Sequence, residues 1–160
     1  MMTRKMNQAG LASVEFAIVG LLVFIVIFGA IEMGRMMFTL NILREVTYRG
    51  ARVAAVCPVN QNKIKQAAIF DASSSGRTAL PNLSAANVQL DYLNAANNIV
   101  ADPAGAGFST INFVRVQIIN YSHSFFLPGS IFSFTTRSYP VTLPAESLGI
   151  NPEAGAAINC

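Results

Sequence analysis

A single histidine, His123, is all the chain offers for imidazole chemistry, so a histidine-built metal site or an ordinary nucleophile–base–acid triad lacks members. Ser122 and Ser124 flank it in an alternating pattern that sends neighbouring side chains to opposite faces of a strand, and His123 reads as a strand or surface residue. Carboxylates are few and scattered. Asp91, Asp102, Glu146 and Glu153 lack metal-ligand spacing, and no glycine-rich phosphate loop follows a strand. Charged residues make up only 12% of the chain, and from Cys57 onward the basic residues Lys63, Lys65, Arg77, Arg115 and Arg137 are matched in number by Asp71, Asp91, Asp102, Glu146 and Glu153. That balance leaves no electrostatic footprint for nucleic acid. No enzyme, metal, cofactor or small-molecule substrate is expected. Met33, Met36 and Met37 read as packing residues rather than a copper site.

Charge is missing altogether from Phe16 to Ile31, where Leu, Val, Ile and Phe dominate. As a helix this piece is about 24 Å long, short for a hydrocarbon core of about 30 Å. Extending it back to Leu11 supplies the length but takes in Glu15, whose carboxylate costs about 3 kcal/mol or more in hydrocarbon unless paired or protonated. Ahead of it, residues 1–10 carry Arg4 and Lys5 and no acid, a leader that stays cytoplasmic by the positive-inside tendency. Removing it leaves nine basic and eight acidic residues, so the basic balance largely belongs to the leader. A cut after Gly10 would place a new amino group on Leu11, one helical turn from Glu15, within one chain or between staggered chains. In low dielectric that pairing matters far more than in water.

Leader, Gly10, four residues, Glu15, Phe16 and an apolar helix resemble the class III signal of type IV prepilins and pseudopilins. Further on, Glu32, Gly34 and Arg35, and then Gly50, Ala51 and Arg52 in the run to Val56, resemble the TadE-like family of tight-adherence pilus assembly proteins. The resemblance covers about the first third of the chain. It implies a minor pilin or pseudopilin cut by a prepilin peptidase between Gly10 and Leu11, which acts in assembling a thin Flp-type pilus. Implied partners are the major pilin, a sibling minor pilin, the platform proteins with their motor, and the peptidase. The implied location is the inner membrane, single-pass, with the head outside the cytoplasm and a possible later place in the pilus. Two other readings compete: an uncleaved single-pass protein with an extracytoplasmic binding head, against which Glu15 speaks, and a secreted domain, for which no Ala-x-Ala-like site follows Ile31.

No proline precedes Pro58, so one helix can run from Leu11 to about Val56. Met36, Leu40, Leu43, Thr47, Gly50, Ala51 and Ala54 recur on one face, and Asn41, Arg44, Glu45, Tyr48 and Arg52 on another. Glu45 and Arg49 stand at the favourable i, i+4 spacing. Gly20 and Gly29 weaken the helix and Ala30 with Gly34 permits close helix approach; helix packing or local melting in a filament is one reading, the commonness of glycine in membrane helices the other. A short helix is expected over 63–70, a break at 73–76, a strand over 88–92, a surface loop over 94–107, a strong strand over 112–122, a turn at 127–129 and a third strand over 131–142. The fold class is α+β and pilin-like: one long helix whose second half packs on a small antiparallel sheet. Residues 1–10 form the leader, 11–32 the membrane half of the helix and 33–160 the head. The tail from Pro144 reads as loop, and a Cys57–Cys160 disulfide would clamp it to the helix exit; free thiols or an interchain bond through Cys160 are the alternatives.

Overall fold

The computed structural model describes residues 9–71, 78, 80–125, 133–136 and 140–150. Helix α1 runs Ala9–Val56, 48 residues without interruption, or about 72 Å. Its two halves differ in surroundings rather than in geometry. Residues 11–19 and 21–31 are exposed on every side, with Phe16 at 80%, because nothing of the head reaches them. From Glu32 onward one stripe is buried through Thr39, Leu43, Val46, Thr47, Gly50, Ala51 and Ala54, at alternating spacings of three and four. Met36 and Leu40, expected on that stripe, are half-buried, and the opposite set of Asn41, Arg44, Glu45, Tyr48 and Arg52 is exposed.

Helix α1 ends one residue before Cys57-Pro58. Asn60 then caps α2 (Gln61–Ala68), its side chain accepting the Lys63 amide at 3.2 Å. Ile64 and Ala68 face inward, as the short-helix reading required, but the helix starts two residues earlier and stops at Ala68, with Phe70 at a φ of 66°. A three-stranded antiparallel sheet of order β1-β2-β5 covers the stripe, from β1 (Val88–Leu93), β2 (Phe113–Ile118) and β5 (Val141–Pro144). Val114, Val116 and Ile118 of the central strand are buried against Leu43, Val46, Ala51, Ala54 and α2. Each such side chain contributes about 1.5–3 kcal/mol relative to exposure. Gly50 sits where α1, α2 and β2 converge: a Cβ there would lie 3.0 Å from the Ala68 Cβ and 3.2 Å from Val116 Cγ1. This is an α+β, pilin-like arrangement of one long apolar helix and a small antiparallel sheet.

Two expected strands divide. The run over 112–122 breaks after Ile118, and β3 (Tyr121–Ser124) pairs with β4 (Ser133–Thr136) in a second, two-stranded sheet. Asn120 takes a φ of 53°, a left-handed conformation that asparagine tolerates better than most residues. Asn87 fixes the break: its amide nitrogen donates to the carbonyls of Ile119 and Asn120 at 3.1 and 3.2 Å, and its own carbonyl accepts the Ile119 amide at 2.7 Å. The expected strand over 131–142 is likewise two, β4 on β3 and β5 on β2, and Pro140, which has no N–H to give a ladder, precedes β5. The surface loop after β1 is present, with only the isolated bridge Leu93–Ile99 in it. The expected break at 73–76 and turn at 127–129 lie outside the described residues.

After β5 the chain returns to the end of α1. Glu146 and Leu148 donate their amides to the Ala55 carbonyl at 3.0 and 3.3 Å, Gly149 donates to the Val56 carbonyl at 2.6 Å, and the Ser147 hydroxyl donates to the same carbonyl at 2.9 Å. The last carbonyls of a helix have no partner within it. Here the tail supplies one from about ninety residues downstream. Gly149 has a φ of 82°, and a Cβ on it would stand 2.6 Å from Pro58 Cα, so both conformation and space require glycine.

Candidate functional site

At the N-terminal end, Gly10 and Leu11 lie within the first turns of α1, and Glu15 and Phe16 follow on its exposed surface. Leu11 and Glu15 share a face, four residues and about 6 Å of rise apart. A Cβ on Gly10, Gly20, Gly29 or Gly34 would meet nothing within 4 Å. Among the described residues α1 is the one helix long and apolar enough to cross a membrane, and the apolar window that qualifies it has no buried residue.

The boundary between bare helix and head is built from charged and polar groups. Glu32 is 7% exposed, and Arg35, one turn later, donates from Nη1 to both of its carboxylate oxygens at 3.0 and 2.8 Å. His123 reaches the same carboxylate from β3, Nε2 to Oε1 at 3.5 Å, while its Nδ1 lies 3.3 Å from the Thr39 hydroxyl. The imidazole therefore spans two turns of α1. Phe125 stacks edge-on against it at 5.6 Å between centroids. Tyr121, buried beside this group, donates to the Pro81 carbonyl at 3.3 Å; burial raises its pKa and the Arg35 charge opposes that rise. An open cleft of about 420 Å³ lies over the cluster, walled by Arg35, Phe38, Pro81 and Tyr121.

His123 is thus a strand residue as read, but a buried one, 6% exposed, and not a surface group. The expected motif residues separate by role. Glu32 and Arg35 form the junction, and Gly34 beside them is exposed with no close neighbour. Gly50 and Ala51 pack into the core, and Arg52 lies exposed in a shallow surface depression with Glu45 and Tyr48. Arg49 does not pair with Glu45. It donates from Nε to the Ala67 carbonyl at 2.8 Å, and its guanidinium lies 4.5 Å from the centroid of the Phe70 ring. Met33 and Met37 are exposed and Met36 half-buried.

Two polar features went unread in the sequence. Asp91 on β1 accepts Arg115 of β2 at 2.9 Å, a cross-strand pair that explains how an acid sits buried in a strand. Tyr92 is buried, its hydroxyl has no hydrogen-bond partner among the described residues, and burial pushes its pKa up to about 12. Cys57 is buried and carries no free thiol. Its expected partner Cys160 lies outside the described residues. Among the described residues, no three His, Cys, Asp or Glu side chains gather closely enough to hold a metal ion.

Comparison with known proteins gives one family match. Residues 10–52 match the family described as TadE-like protein, a segment that opens at Gly10, contains Glu15 and the Glu32–Arg35 pair, and closes at Arg52. No curated protein and no solved structure matches the chain.

Proposed function

From the TadE-like character of residues 10–52, we infer that the chain is a minor pilin or pseudopilin of a tight-adherence, Flp-type pilus. The observation that carries this reading is the continuity of the matched segment with one exposed apolar helix holding a single carboxylate, Glu15, in its first turns. A membrane anchor alone has no use for that carboxylate. A helix cut between Gly10 and Leu11 gives it an ammonium partner, on its own chain or on a staggered neighbour. The chain then waits in the inner membrane with residues 33–160 as a head outside the cytoplasm, and is drawn out to pack helix against helix with the major pilin and a sibling minor pilin. The prepilin peptidase, platform proteins and motor act on it in turn. A Cys57–Cys160 disulfide fits the same compartment, and the return of residues 146–149 to the end of α1 brings the tail near Cys57.

Glu15→Ala tests the reading. Insertion and processing stay intact, because neither needs the carboxylate, while piliation falls. Normal pili on cells carrying this variant would rule out the pairing role.

A further inference from the structure

The bare surface of α1 does not stop where the apolar span stops. Past Ile31, Met33, Met37 and Phe38 remain exposed, Phe38 at 59%, on a part of the helix that already carries the head. Residues 11–31 rise about 30 Å, the thickness of a hydrocarbon core, so Met33 stands about 3 Å and Phe38 about 10 Å beyond it. Side chains on a helix lean toward its N-terminus, which brings both back over the lipid headgroups.

The sheet descends to the same level. Val116 stands against Gly50, whereas His123 lies between Thr39 and Glu32. The helix falls about 22 Å from Gly50 to the midpoint of Thr39 and Glu32, and the seven residues from Val116 to His123, with their side chains, cover that drop. From β2 to β3 the chain therefore runs down α1 toward its apolar end, bending at Ile119 and Asn120 on the way. Phe125, directly after β3, continues this descent with its ring against His123, 5.6 Å between centroids. Meanwhile Arg35 holds the buried Glu32 carboxylate at this height and the Thr39 hydroxyl meets His123 Nδ1, the pairing that polar groups leaving water need.

We propose that the edge of the head formed by Met33, Met37, Phe38 and Phe125 rests in the headgroup layer of a phospholipid bilayer, giving the chain a second lipid contact beside its spanning helix. The occupant is lipid because this surface is continuous with the apolar span. That contact fixes the height and tilt of the head on the membrane and must be released before the helix leaves it. The proposal rests on the reading that residues 11–31 cross the bilayer.

The chain contains no tryptophan, so single substitutions report alone. The full chain is reconstituted in phosphatidylcholine vesicles as Phe24→Trp, Phe38→Trp, Phe125→Trp or Ile99→Trp, with lipid spin-labelled either near the headgroup or near the acyl-chain end. Trp at 38 and at 125 loses most of its fluorescence to the shallow label, Trp at 24 to the deep label, and Trp at 99, at the far end of the sheet, to neither. Quenching at 24 without quenching at both 38 and 125 overturns the proposal and leaves the span intact. Escape of Trp at 24 from the deep label refutes the span and the proposal together. Emission at 38 and 125 that is blue-shifted, unquenched and dependent on protein density assigns this edge to a second copy of the chain, and also overturns it.

Discussion

His123 Nε2 and Glu32 Oε1 lie 3.5 Å apart, one on the hairpin of the head and the other where the apolar half of α1 ends. With the bond between Thr39 and His123, this pair joins the two-stranded sheet to the long helix. Replacing His123 by Ala leaves Glu32 with Arg35 but removes both contacts to the hairpin. A loss of about 1–3 kcal/mol follows from abandoning buried polar partners. Faster amide exchange in β3 and β4, with β1 and β2 unchanged, is the expected signature in the detergent-solubilised chain; exchange that rises equally in all strands would show that the pair is not local glue.

Tyr92 gives the head an alkaline limit. Its folded-state pKa, raised by burial to about 12, stands above the ordinary value of 10.0. A raised folded pKa means that the neutral hydroxyl is favoured in the fold: the contribution is complete below pH 10 and is lost as pH rises toward 12. The two-unit difference corresponds to about 3 kcal/mol. Tyr92→Phe removes the group and with it this part of the alkaline loss, at little cost near neutral pH because the hydroxyl has no partner to strand. Unfolding of the two proteins followed from pH 8 to pH 12 checks it, and parallel curves would contradict it.

The tail is held at two levels. Gly149→Ala forces a side chain against Pro58 at a left-handed backbone position and loosens residues 146–149 from the Ala55 and Val56 carbonyls. A cost of about 1–3 kcal/mol is expected from the strain. Cys160→Ser removes the proposed clamp. Wild-type chain migrates faster without reductant at monomer mass, and the variant does not; an unchanged pattern in Cys160→Ser would reject the intrachain bond.

What could be read in advance follows the range of the signals. The long helix was legible because its determinants are local: an unbroken apolar run, an amphipathic continuation and Pro58 at the end. The alternation over 112–122 predicts one strand because nothing in it marks the break. Asn120 turns left-handed where Asn87, more than thirty residues earlier, donates to the carbonyls of Ile119 and Asn120. His123 gave no sign of burial for the same reason, since Glu32 and Thr39 lie over eighty residues away. Arg49 had two possible partners, and the pairing with Glu45 lost to a carbonyl and an aromatic ring that tertiary packing brings alongside. The motif of Gly50 and Ala51 was visible as a pattern, but its packing reason appears only with Ala68 and Val116 in place.

Assembly turns on the state of the helix N-terminus in its native cells. The measurement is the N-terminal sequence of the protein isolated from them. Processing between Gly10 and Leu11 predicts a start at Leu11, which places an ammonium one turn from Glu15. A start at Met1 or Met2 would contradict the account and favour an uncleaved anchor, and a start beyond Ile31 would mean a secreted domain without an assembly helix.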